Sequence, residues 1–115
     1  MFRTAIAAAL LLSATAASAQ FSGPTANPNA RATTVSQVPN ARAGSYVTLT
    51  GNIVAHQRED YFTFRDSTGE IRVEIDDEDF RGQKVTPETN VRITGEIERG
   101  FAGRYIDVDT LEVLP

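Results

Sequence analysis

The sequence predicts an all-β domain: a small closed barrel of five strands with one short helical turn. Three observations lead there. Residues 46–75 alternate apolar and polar side chains, as three successive half-buried strands would. Gly51 interrupts the apolar row of the first of these strands, and a strand that must curl around a barrel needs such a point of bending or close backbone approach. The polar tetrad Asp66-Ser67-Thr68-Gly69 joins the second and third as a tight hairpin.

The first strand places Val47, Leu49, Gly51, Ile53 and Ala55 on one face. His56 and Arg58 follow it in a loop. In the second strand, Tyr61 to Arg65, Phe62 and Phe64 point inward. In the third, Glu70 to Ile75, Ile71, Val73 and Ile75 do so. Alternation then breaks at Asp76-Asp77-Glu78-Asp79-Phe80. Carboxylates at the positive end of a helical turn, with Gly82 at its close, explain that break, and Phe80 would plug one end of the barrel. Thr86-Pro87-Glu88-Thr89 is a turn. The fourth strand, Asn90 to Glu98, turns Val91, Ile93, Gly95 and Ile97 inward. A loose hairpin, Arg99 to Gly103, leads to the last strand, Arg104 to Leu114. There Leu111 and Val113 are out of phase with Ile106 and Val108, which predicts a bulge near Asp109-Thr110.

The N-terminus reads as a targeting segment. Met1-Phe2-Arg3-Thr4 carries one positive charge, Ala5 to Leu12 is apolar, and Ala17-Ser18-Ala19 fits the small-x-small cleavage rule. Residues 1–19 are therefore expected to be a signal peptide, cut before Gln20. The apolar run is well short of the roughly 20 residues that a membrane span requires. No membrane span is expected after cleavage, and the expected location is extracytoplasmic. Residues 20–32, rich in Pro, Gly, Asn, Ser and Ala, read as a flexible leader. Residues 33–115 form the domain. It opens with a helical turn over Thr33 to Val38, capped by Thr33 or Thr34 and ended by Pro39. The chain has no cysteine, so the exported domain must be held by its core and not by disulfides.

Charge separates along the chain. All 15 acidic residues and 8 of the 11 basic ones fall between Arg58 and Glu112, a balance of −7. An acidic surface repels phosphate backbones, which argues against nucleic acid as a partner. It suits a cationic partner or plain solubility.

Three strands, a helical turn and a two-stranded hairpin follow the order of the five-stranded OB-fold Greek-key barrel. The residues that carry a closer resemblance are Val47-Thr48-Leu49-Thr50-Gly51-Asn52-Ile53-Val54, Phe64-Arg65-Asp66 with Gly69, and Ile71-Arg72-Val73-Glu74-Ile75-Asp76. Gly82, Val85-Thr86-Pro87, Val91-Arg92-Ile93-Thr94-Gly95-Glu96 and Ile106-Asp107-Val108 continue it. In these the chain resembles the bacterial OB-fold (BOF) family, the YgiW/YdeI type of periplasmic stress-tolerance protein. The resemblance narrows the expected location to the periplasm and implies an exported, non-catalytic OB-fold with no cofactor, which binds a small molecule, a cationic peptide or an envelope protein. The family often has tryptophan before Val47 and before Gly82, where this chain has Tyr46 and Phe80-Arg81 and no tryptophan at all.

The expected ligand face is the outer face of the second and third strands with the adjoining loops. It presents Tyr61, Thr63, Arg65, Arg72, Glu74 and Tyr105, with His56, Arg58, Phe101 and Arg104 around them. Stacking aromatics in a positive groove would serve a single-stranded nucleic acid, but Glu59, Asp60, Glu70 and Glu74 are interleaved with the arginines. Paired across strands, the same charges make a solvated barrel face. Asp76, Asp77, Glu78 and Asp79 are a weak cation candidate, because they lack the D-x-D-x-D-G spacing and distal Glu of a calcium loop. His56 is the single histidine, and no cysteine accompanies it, so no typical zinc site is expected. No nucleophile–base motif such as G-x-S-x-G is present, and no enzyme activity is expected. The protein is expected to be a monomer.

Overall fold

The computed structural model describes residues 27–115. The expected signal peptide and most of the leader lie outside the described residues. Six strands and two short 3-10 helices follow in order. They are β1 (Arg31–Ala32), the first helix (Val35–Asn40), β2 (Tyr46–Arg58), β3 (Tyr61–Asp66), β4 (Gly69–Glu74), the second helix (Asp77–Phe80), β5 (Val91–Gly100) and β6 (Gly103–Val113). Strands pair in the order β2-β3-β4-β6-β5, and β2 pairs with β5 to close a five-stranded barrel. All these pairings are antiparallel except β4 with β6. This is the OB-fold that the sequence predicts.

Closure depends on two close backbone approaches. A Cβ on Gly51 would lie 2.2 Å from the Arg65 carbonyl oxygen, and one on Gly95 would lie 2.2 Å from that of Asp107. No larger residue fits either place while the strands keep their separation. Inside, Phe64, Leu49, Ile75, Ile93, Ile97, Ile106 and Leu111 are fully buried. Thr94, the buried polar residue among them, is satisfied by the Thr48 hydroxyl at 3.1 Å. The register of β5 on β6 skips one residue between Val108 and Thr110, so the expected bulge falls on Asp109 and returns Leu111 to the core.

Several local expectations are corrected. β2 runs on to Arg58, so His56 and Arg58 belong to a strand and not to a loop. A register shift between Ile53 and Ala55 leaves Val54 as an extra residue and turns Ala55 out to solvent instead of inward. Pro39 lies inside the first helix and does not end it. A six-residue 3-10 helix tolerates its fixed φ, and the chain leaves the helix one residue later with the Ala41 N–H bonded to the Val38 carbonyl. The left-handed exit of the second helix starts at Arg81 (φ 53°), one residue before Gly82. The last hairpin is tight, not loose: Gly100 pairs with Gly103 around a two-residue turn, and Gly103 has φ 103°. Arg31 and Ala32, assigned above to the leader, pair in parallel with Val47 and Thr48 and cover the edge of β2 that β3 leaves open.

The first helix is fastened to the β3–β4 turn by one carboxylate. Asp66 accepts from the Val35 N–H (2.9 Å) and from the Thr68 N–H (2.8 Å) and hydroxyl (2.6 Å). The Thr68 hydroxyl in turn accepts from the Ser36 N–H at 3.0 Å. Burial raises the Asp66 pKa, but the hydrogen bonds from Thr68, Val35 and Gly69 outweigh it and hold the carboxyl below its ordinary value. Val35 and Val38 thereby seat against the barrel end as part of its core.

Candidate functional site

Alternation along β3 puts Tyr61, Thr63 and Arg65 on its outer face. Their partners on β4 are Glu74, Arg72 and Glu70 in turn. The parallel pairing of β4 with β6, Val73 opposite Ile106 and Glu74 opposite Asp107, brings Tyr105 beside Arg72. The face is built around Arg72. Its guanidinium lies 5.0 Å from the Tyr61 ring and 4.8 Å from the Tyr105 ring. The two rings are 6.1 Å apart and nearly edge-on, at 74°. Arg58 covers Tyr61 from the side at 5.8 Å. Such cation–π contacts are each worth about 0.5–1 kcal/mol at exposed sites and more where water is excluded. They hold an aromatic and guanidinium cluster in which, among the described residues, Arg72 has no ion pair.

The flank of this surface is acidic. Burial first, then the charges of Asp107, Asp76 and Asp60, raises the Glu74 pKa, while Arg72 pulls the other way. Asp107 is raised by burial and by Asp109, Asp76 and Glu96. Asp79 is raised by burial and by Asp76, Glu78, Asp109 and Asp107. Tyr105 is raised by burial and by Tyr61, Glu74, Glu98 and Asp107. One band of mutually repelling carboxyls thus runs from the Tyr105 side of the stack toward the second helix.

Of the six residues that the sequence singles out, five come together: Tyr61, Thr63, Arg72, Glu74 and Tyr105. Thr63 is fixed by the Gln57 amide at 2.9 Å. Arg65 stands apart at the end of β3, engaged by the Glu70 carboxylate. His56 is occupied structurally, stacked on Phe62 at 4.7 Å with Nε2 2.7 Å from the Glu59 carbonyl. Phe101 stands fully exposed at the hairpin tip. The Asp76–Asp79 run opens the second helix. No group of three or more His, Cys, Asp or Glu placed to hold a metal ion occurs among the described residues.

Sequence reasoning missed Asp107 and Gln57. Asp107 was within reach, because an outward residue between inward Ile106 and Val108 must share a face with Tyr105. Gln57 was not, because its position follows from the shift in register between His56 and Arg58.

Comparison with known proteins agrees with this architecture. The profile described as "Bacterial OB fold (BOF) protein" matches residues 12–113. The chain is 42% identical over 109 residues to the calcium-regulated OB-fold protein CarO of Pseudomonas aeruginosa, covering 95% of this chain and 92% of that one. It is 37% identical to the protein YgiW of Escherichia coli K12, over 93% of this chain and 92% of that one. The solved structure of YgiW superposes with a TM-score of 0.72 at 34% identity, covering 81% of this chain and all of that one. The Stn1–Ten1 complex of Schizosaccharomyces pombe (TM-score 0.58, 14% identity) shares the fold alone. Neither CarO nor YgiW is named as an enzyme. The chain belongs to the bacterial OB-fold family.

Proposed function

We propose that this member of the bacterial OB-fold family is an exported, non-catalytic binding module of the periplasm. It helps the cell envelope tolerate stress by holding a cationic peptide or small cationic molecule. The observation that carries this reading is the Tyr61–Arg72–Tyr105 stack bordered by Glu74 and Asp107. Flat rings supply sequence-tolerant contact area at little entropic cost, and a neighbouring band of carboxyls selects positive charge. The raised pKa values of Glu74 and Asp107 support the choice of sign, because an incoming cation relieves the repulsion that raises them. A relative described as calcium-regulated is compatible with a role that answers to ionic conditions. The module acts as a monomer.

The reading is tested on the protein recovered from a periplasmic extract. Titration with a short lysine- and phenylalanine-containing peptide is followed by amide chemical shifts. Shifts centred on Tyr61, Thr63, Glu74 and Tyr105, weakened in Tyr61→Ala with Tyr105→Ala, are expected. Recovery in the cytoplasmic fraction would refute export. Binding that the double variant leaves unchanged would refute the site. A second reading, an adaptor of an envelope complex, is favoured by the fully exposed Phe101 at the hairpin tip. Periplasmic crosslinking that depends on Phe101 separates the two.

A further inference from the structure

We infer that the protein carries a second site, a groove at the barrel mouth between the first helix and the start of β6, that takes a small amphipathic carboxylate. The groove encloses about 400 Å³. That is within the range of small-ligand pockets, roughly 300–1,000 Å³. Val35, Val38, Pro39 and Ile71 line its apolar part, and Arg72 and Arg104 its polar part. The Nε atoms of these two arginines are the buried side-chain polar atoms left without a hydrogen-bond partner among the described residues. That both side chains line one groove beside an apolar wall is the central observation, since guanidinium N–H groups left without an acceptor cost free energy and call for one.

The partner is an anion. Among the described residues neither Arg72 nor Arg104 forms an ion pair, in a segment where acidic residues outnumber basic ones 15 to 8. Glu70 also lines the groove, but Arg65 engages it. Arg99 sits directly opposite Arg104 across the hairpin, so the ladder adds a like charge there and no compensation. A carboxylate matches the planar guanidinium fork, and an apolar body beyond it covers Val35, Val38 and Ile71. The site adjoins the aromatic face through Arg72 and has the opposite charge preference. It does not depend on the cationic-ligand reading above.

The test uses octanoate and its uncharged analogue octanamide, with the purified exported protein and amide chemical shifts as readout. Octanoate is expected to give saturable shifts at Val35, Val38, Ile71 and Arg104, with octanamide weaker. Arg104→Gln removes one guanidinium, and about tenfold weaker octanoate binding is expected. Ala102→Glu sets a carboxylate on the exposed rim without touching the core, and a similar loss is expected. Three results would each overturn the inference: no saturable octanoate shift, octanamide binding as tightly as octanoate, or unchanged octanoate binding in both variants. The lysine-containing peptide is titrated into the same samples, so failure of the aromatic face and failure of the groove are read separately.

Discussion

Removing the Asp66 carboxylate unfastens the first helix from the barrel. In Asp66→Ala, the Val35 N–H and the Thr68 N–H and hydroxyl lose their acceptor. Hydrogen bonds to a charged group contribute about 1.5–3 kcal/mol each, which for three exceeds 4 kcal/mol. Asp66 is only half-buried, so water replaces part of that, and about 2–3 kcal/mol is the expected loss. Urea unfolding at neutral pH measures it from the shift in midpoint at constant m-value. The acid dependence gives an independent check. The folded carboxyl is held below its ordinary value, so the unfolded chain binds the proton more tightly. Its contribution is therefore complete above the ordinary carboxylate pKa and is lost as pH falls through the depressed folded value. Asp66→Asn keeps a side-chain oxygen as acceptor, so it should cost less at neutral pH and cost nothing extra in acid. Hydrogen exchange at Val35 should quicken in both variants. A loss under about 0.5 kcal/mol for Asp66→Ala, the range of ordinary surface changes, would refute the clamp. So would an unchanged acid limb for Asp66→Asn.

Two further outcomes follow from the barrel and its acidic flank. Gly51→Ala and Gly95→Ala each push a methyl against a backbone carbonyl at 2.2 Å. Each should cost at least about 2–3 kcal/mol in urea unfolding, whereas the exposed Thr50→Ala should stay within about 0.5 kcal/mol. The folded pKa values of Glu74 and Asp107 are raised, so their ionisation works against folding, and the stability they allow at low pH is lost as pH rises through those raised values. Glu74→Gln with Asp107→Asn should therefore raise the melting temperature at neutral pH and leave it unchanged below the ordinary carboxylate range. An equal rise at both pH values would show packing, and not charge repulsion, to be the cause.

How much was legible in the sequence depended on whether burial or pairing decided each feature. Inward rows such as Ile71-Val73-Ile75 were legible, because a one-residue slip would expose all three at once. The Asp109 bulge was legible for the same reason: Leu111 is too large to leave outside, so the phase break had to be absorbed between it and Val108. The Val54 bulge was not. Ala55 loses little by facing water, so its alternation carries no weight, and nothing local marks His56 and Arg58 as strand residues. Pro39 misled because its penalty belongs to long α-helices, and a 3-10 segment of six residues has little ladder to break. At the candidate site, alternation alone set Tyr61, Thr63, Arg72 and Glu74 on one face. The placement of Arg72 against both Tyr61 and Tyr105 required the parallel register of β4 on β6, which no local pattern encodes. The mouth groove was further out of reach. Its apolar wall exists because Asp66 reaches back 31 residues to the Val35 N–H, and its two arginines meet through the parallel pairing of β4 with β6. The contacts that build the fold are thus mostly periodic and local in origin, while those that could recognise a ligand come from register and from one long-range carboxylate clamp.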